Sequence, residues 1–193
     1  MSYPEFSGIL LVSTALMFSA PATASVPIGW TLAGSRPQDY DVGTIAVTAT
    51  SGKGGAYLKC VAEQANGFGT LMQEVSADAY HGKRVRLSAN AKASDVQGWA
   101  GLWMRVDGDG SRPLAFDNMG NRPIKGNTDW KRYEVVLDVA DRATAVAFGI
   151  LLTGKGSVEV DTFRIEVVDA SVPTTTPPKS MLPVSPRNLG FDE

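Results

Sequence analysis

The sequence predicts an all-β fold, an antiparallel two-sheet jelly-roll sandwich, and three observations predict it. From residue 44 to residue 168 the apolar residues recur with period two, the spacing of a strand, and not with the period of about 3.6 that marks a helix. Glycine-rich turn signals cut that stretch at regular intervals: "SGKGG" from Ser51, "ANGFG" from Ala65, "YHGK" from Tyr80, "DGDGS" from Asp107 and "TGKGS" from Thr153. No segment carries an amphipathic helix pattern of ordinary length, although "EVSADAYHG" has room for one short turn. About eight to ten short strands so spaced read as a sandwich or barrel.

Before the strands comes a different kind of segment. Residues 8–18, "GILLVSTALMF", are almost wholly apolar, and "SAPATAS" follows with small residues at Ala22 and Ala24. An apolar run followed by an A-x-A pattern reads as a signal peptide over residues 1–24, cleaved after Ala24; "MSYPEF" has no basic residue and carries Glu5, which leaves an uncleaved anchor as the alternative. The run is too short to cross a membrane comfortably, so no stable span is expected after cleavage. The expected compartment is periplasmic or extracellular.

The sandwich itself is expected over residues 25–169. "RVRLSANAKA" sets Val85, Leu87, Ala89 and Ala91 on one face and Arg86, Ser88, Asn90 and Lys92 on the other. "RYEVVLDVA" gathers Tyr133, Val135, Leu137 and Val139, and "AVAFGILLTG" gathers Val146, Phe148, Ile150 and Leu152. "TGKGS" reads as a tight hairpin into the last strand. In that strand Val158 and Val160 give way to Phe163, Ile165 and Val167, a change of parity near Asp161 that suggests a bulge. Residues 170–193 turn rich in Pro, Thr and Ser and read as an extended tail, ending in "RNLGFDE".

Bulk properties narrow the function. The formal net charge is −2 and 44% of residues are hydrophobic, which gives a packable core and no basic excess for nucleic acid. One cysteine, Cys60, excludes an intrachain disulfide and reads as a small buried hydrophobe. The single histidine, His81, sits in a turn signal, and no G-x-S-x-G elbow, P-loop or zinc ligand set is present. "DGDGS" is closer to an Asp-Gly hairpin than to a calcium loop. No catalytic residues, no metal and no cofactor are expected.

Binding chemistry has a better candidate in "GWAGLWMRVDG". Alternation puts Ala100, Leu102, Met104 and Val106 in the core, and Trp99, Gly101, Trp103, Arg105 and Asp107 on the opposite face. A solvated face rarely carries two indoles, and an inner face rarely carries Arg and Asp unless they pair. A concave groove floor satisfies both constraints: indoles stack on a sugar ring while polar groups bond its hydroxyls. The alternative is that the tryptophans pack under loops and Arg105 pairs with a nearby carboxylate. In "LAFDNM" Phe116 is expected in the core, and Asp117 beside Arg105 with Asn118 close by. "GNRPIKGNTDW" reads either as a structural loop clamped by Asp117 and Arg122 or as a rim loop, stiffened by Pro123, that brings Arg122 and Trp130 to the site. The expected ligand set is therefore Trp99, Trp103, Arg105, Asp117, Asn118, Arg122 and Trp130.

The blocks "WAGLWMRVDG" and "FDNM…RPIKG…DW" also carry a resemblance. Residues 30–168 resemble an accessory domain of bacterial secreted or envelope proteins. It is found beside carboxy-terminal processing peptidases, in erythromycin-esterase-like proteins and in proteins labelled as regulators. More distantly the stretch looks like the galactose-binding-like jelly rolls, carbohydrate-binding modules among them. The resemblance implies a non-catalytic module that binds a glycan or another small ligand, or a structural domain that binds a protein partner in the envelope; a hydrolase with an unrecognised site is the third and weakest reading. This chain reads "KGNTDW" where the pattern usually runs "KGTTDW", and Thr162 follows Asp161 where a second acid is common, so no calcium site is carried over.

Overall fold

The computed structural model describes residues 25–176, 185–186 and 188–190. The signal segment, residues 1–24, lies outside them. Among the described residues nine strands form: β1 (Thr31–Gly34), β2 (Tyr40–Ile45), β3 (Gly55–Cys60), β4 (Phe68–Ser76), β5 (Arg84–Asp107), β6 (Ala115–Asp117), β7 (Ile124–Asp138), β8 (Ala145–Thr153) and β9 (Ser157–Val168). Two single-turn 3-10 helices, Pro37–Asp39 and Asp78–Tyr80, are the only helical pieces among the described residues, and the second falls in "EVSADAYHG". The fold is all-β, 56% strand, with the sheet nearly closed into a barrel. No helix among the described residues is long and apolar enough to cross a membrane.

Strand β5 organises the architecture. Residues 84–94 pair with β9 on one side and β7 on the other, while residues 99–107 pair with β8 on one side and β6 on the other. One strand therefore runs through both layers. The first layer has the order β7-β5-β9-β3-β2 and the second β1-β4-β8-β5-β6, all pairs antiparallel. Between the two halves the register with β7 shifts repeatedly from Ala91 to Ala100, and Asp95 takes a φ of 51°.

The bend changes parity. Before it, Val85, Leu87, Ala89, Ala91 and Ala93 are buried; after it, Val96, Ala100, Leu102, Met104 and Val106 are. A bulge of one extra residue turns the following side chains to the opposite face. The small alanines in the middle of β5 let both layers close on the strand where it turns. The β8–β9 hairpin seats against this bend: Gly156 has a φ of 110°, and a Cβ there would lie 2.4 Å from the Asp95 carbonyl oxygen. Only glycine fits both constraints.

The change of parity in the last strand is likewise a bulge. The β5–β9 register slips between Ser88 and Asn90, and Thr162 has a φ of 54°. Beside it Asp161 is buried and accepts from Asn90 Nδ2 at 3.0 Å, from Thr162 Oγ1 at 2.7 Å and from the Thr48 hydroxyl. This carboxylate ties the loop between β2 and β3 to both strands of the bulge.

One expectation is corrected. "GNRPIKGNTDW" is not simply a loop, because β7 begins at Ile124 and pairs irregularly with the bend through Ile124, Gly126 and Thr128. The described start of the Pro/Thr-rich tail, residues 170–176, docks on the sandwich. Arg84 Nη1 donates to the carbonyls of Ala170 and Val172 at 2.6 and 2.7 Å. Thr175 exchanges bonds with Val136, whose N–H reaches Thr175 Oγ1 at 2.8 Å while the Thr175 N–H reaches the Val136 carbonyl at 3.0 Å. The physical reason is the open edge of β7, whose backbone groups take any donor and acceptor that can reach them.

Asp161 gives a test of this frame. Burial alone would raise its pKa, but the bonds from Thr48, Thr162, Asn90 and Ser51 outweigh it and hold the carboxyl below the ordinary range. Its contribution is thus complete above the unfolded pKa of about 3.9 and is lost as pH falls through the lower folded value. Asp161→Ala is expected to cost about 1–3 kcal/mol at neutral pH. In urea unfolding followed against pH, the gap between wild type and variant should close below about pH 4.

Candidate functional site

The bulge in β5 throws Trp99, Trp103 and Arg105 onto the outer face of the second layer, and all five strands of that layer contribute around them. Phe68, Thr70 and Met72 come from β4, Leu151 and Thr153 from β8, and Ala33 and Gly34 from the edge strand β1. Phe116 from β6 and Asn118 just beyond it complete the wall of a cavity of about 420 Å3. Pairing across β5 and β8 sets Trp99 opposite Thr153 and Trp103 opposite Gly149, and pairing across β5 and β6 sets Arg105 opposite Phe116.

Trp103 forms the floor. Its indole N–H donates to Thr70 Oγ1 at 2.8 Å, and that hydroxyl donates onward to the Ile150 carbonyl at 2.9 Å. Trp103 is on β5 and Thr70 on β4, so the indole lies across β8, which stands between them. Gly149 leaves that path clear, and a Cβ there would strike the Leu71 carbonyl oxygen at 2.2 Å. Trp103, Ala147 and Leu151 make a small apolar cluster of their own, with Phe68, Met72 and Trp99 packed against it. A groove in which Trp103 itself meets ligand requires that indole to be partly exposed; it is only 6% exposed, while Trp99 beside it is half-buried.

The rim is polar at one end. Arg105 Nε donates to Asp107 Oδ2 at 2.9 Å, with the Arg105 side chain 40% exposed. Asn118 Oδ1 accepts the Gly120 N–H at 3.0 Å, which fixes the amide. Phe116 stands open beside Arg105 at 43% exposure.

Phe116 and Asp117 therefore exchange the places expected for them. The alternation in "LAFDNM" is as read, but Asp117 and Met119 take the inner side. A carboxylate survives there because it is fully bonded. Arg122 reaches it at 2.7 and 3.2 Å, the Met119 N–H at 2.9 Å and Thr175 Oγ1 at 2.5 Å. Burial would raise the Asp117 pKa, but Arg122, Thr175 and the Met119 N–H together hold it below the ordinary carboxylate range. Of the ligand set expected from the sequence, the groove collects Trp99, Trp103, Arg105 and Asn118. Asp117 and Arg122 form a clamp behind it, and Trp130, half-buried on β7, does not line it.

Phe68, Met72 and Leu151 were missed, and the signal for them was present. Once Val146, Phe148, Ile150 and Leu152 are assigned inward, the outward residues of β8 are Ala147, Gly149, Leu151 and Thr153, with no charge among them. A sheet face of that composition is a covered or concave one. Elsewhere, His81 Nε2 lies 2.7 Å from the Ala143 carbonyl oxygen in its turn, and no group of three or more His, Cys, Asp or Glu among the described residues is placed to hold a metal ion.

No protein-family model matches the chain. A Bacillus subtilis (strain 168) protein described as the uncharacterized HTH-type transcriptional regulator YbfP is 45% identical over 168 residues, 86% of this chain. The chain spans 57% of the length of that curated relative. Among solved structures, the CBM22-1 xylan-binding domain of Paenibacillus barcinonensis Xyn10C matches with a TM-score of 0.55 at 13% identity, covering 78% of this chain and 94% of that one. A family 16 carbohydrate-binding module matches with a TM-score of 0.51 at 14% identity, over 69% and 92% of the two chains. The enzymatically active domain of tailspike protein 4 of bacteriophage CBA120 matches with a TM-score of 0.58 at 15% identity, over 73% of this chain and 20% of that one. At these identities the likeness is one of fold.

The floor makes a clean stability test. Trp103→Ala is expected to cost about 3–5 kcal/mol in chemical denaturation, as for a buried aromatic. Thr70→Val should cost about 1–3 kcal/mol, because it strands the indole N–H.

Proposed function

We propose that this chain is a non-catalytic carbohydrate-binding module whose site is the groove on the outer face of β1-β4-β8-β5-β6. One observation carries the reading: an aromatic-floored concavity built on a rigid sheet, with polar groups confined to one rim. That is the form of a site that stacks a sugar ring and orients it by a few hydrogen bonds. The shared fold with carbohydrate-binding modules supports it. Trp99 and Phe116 are the exposed aromatic surfaces a sugar would meet, Arg105 and Asn118 the orienting groups, and Trp103 the support beneath.

Trp99→Ala and Phe116→Ala should each weaken polysaccharide binding about tenfold or more, roughly 1.4 kcal/mol, with near-wild-type unfolding curves. Affinity electrophoresis against a panel of plant and bacterial cell-wall polysaccharides, followed by tryptophan fluorescence titration, measures it. Wild-type mobility unchanged on every polysaccharide, or variants that bind as wild type does, would refute the reading.

A second reading is favoured by the Bacillus relative: the module senses a ligand for a longer regulatory protein. The two readings place the chain differently. Export is proposed on residues 8–24, and intact-mass measurement of the protein from its native cell decides it. A mature chain beginning at Ser25 supports the exported module; a chain retaining residues 1–24 and found with the nucleoid supports the regulator.

A further inference from the structure

Resting on the groove as a ligand site, we infer that Thr175 is a positioning residue for it: the strap formed by residues 170–176 holds the β6 wall of the groove in place, and a ligand in the groove tightens the strap in return. The wall has little of its own to hold it. β6 is three residues long, lies at the edge of the second layer and pairs with β5 alone. Phe116 on β6 and Asn118 just beyond it are the parts of this wall that meet the cavity. The chain then turns at Met119 with a φ of 62°, a backbone conformation that a methionine keeps only when its surroundings impose it. Asp117 imposes it by accepting the Met119 N–H at 2.9 Å.

Two side chains in turn hold Asp117, and they are anchored differently. Arg122 lies five residues on, in the same turn, and reaches β7 only through the Glu134 carbonyl at 3.1 Å. Thr175 arrives from outside that turn. Its backbone N–H donates to the Val136 carbonyl of β7, and the strap before it is held by Arg84 of β5, which also pairs with Asp138 of β7 at 2.7 and 2.9 Å. The Thr175 hydroxyl has one proton. An ionised carboxylate only accepts, so that proton goes to Asp117 at 2.5 Å, and the hydroxyl oxygen takes the Val136 N–H at 2.8 Å. One hydroxyl therefore joins β6 of the second layer to the β5–β7 pair of the first.

Asp117 is only 5% exposed, so losing this bond leaves a buried carboxylate short of a donor. Water can replace the donor only where β6 lifts, and lifting β6 carries Phe116 and Asn118 away from the cavity. A ligand resting on those two side chains opposes the lifting and so favours the docked strap. By linkage the strap favours the ligand by the same factor.

The test is amide exchange of the isotope-labelled full chain, followed by NMR, in wild type, Thr175→Val and Thr175→Ser. Each is measured free and with xylohexaose, cellohexaose or chitohexaose, and tryptophan fluorescence gives the affinities. In the free Thr175→Val chain, exchange at residues 116–119 should be at least about fivefold faster, with β4 and β8 unchanged. Affinity for whichever oligosaccharide binds should fall by a similar factor, and Thr175→Ser should recover both. In wild type the bound oligosaccharide should slow exchange at residues 170–176, a response that a strap with a purely stabilising role does not give. Unchanged exchange at 116–119 in Thr175→Val, or a bound oligosaccharide that leaves 170–176 unprotected, overturns the inference and leaves the groove as a site. No binding by any of the three overturns the groove reading and the coupling that rests on it, even where exchange at 116–119 still rises.

Discussion

The fold and its groove both depend on the change of parity in the bend of β5. Up to Ala93 the odd-numbered side chains of this strand face the core; from Val96 the even-numbered ones do. Without that slip, Leu102 and Met104 would face water and Trp99, Trp103 and Arg105 would enter the interior. Burying an arginine and losing two large apolar side chains from the core would cost far more than a bulge does. The sequence pattern on either side thus forces the bulge to exist, and the bulge decides which face of the second layer carries indoles.

The rest follows from keeping that outward face apolar yet stable in water. An indole lying flat across a strand needs a gap beneath it and a partner for its N–H. Gly149 supplies the gap and Thr70 supplies the partner. Because Thr70 also donates to Ile150, the floor has no unmet donor. The groove therefore meets a ligand through ring faces and through the few polar groups at its rim. Behind that rim, Asp117 ties the edge strand β6 to Arg122 and to Thr175 of the C-terminal segment. Phe116 and Asn118, which flank Asp117 in the chain, are held by residues that never touch the cavity.

Much of this was legible in the sequence. The strict alternation in 84–93 and again in 99–107 gives the strands, the inward sets and the outward tryptophans, since each side chain's face follows from its parity alone. The parity of "LAFDNM" was legible too, but not its sign. A phenylalanine is ordinarily a better core residue than an aspartate, and only the clamp of Arg122, Met119 and Thr175 reverses that preference. The pairing of Asp117 with Arg122, five residues on, was open as the alternative reading of this stretch, whereas Thr175 comes from the tail and no local pattern announces it. The same holds for Phe68 and Met72. Their strand was readable, but their place beside Trp103 depends on β4 pairing with β8, a neighbour distant in sequence. Trp103 was placed on the correct face and still misjudged in exposure, because the cover given by Leu151 and Trp99 is a tertiary property.

The central claim is that ligand contact is confined to the outer face of the second layer. Backbone amide shifts of the isotope-labelled chain, followed by NMR during titration with the tightest-binding polysaccharide fragment, test it most directly. Saturable changes are predicted at Thr70, Trp99, Arg105, Asn118 and Leu151, with the charged outer face of the first layer around Arg86, Arg132 and Glu166 unmoved. Changes centred on that first layer, or spread evenly over both, would contradict it.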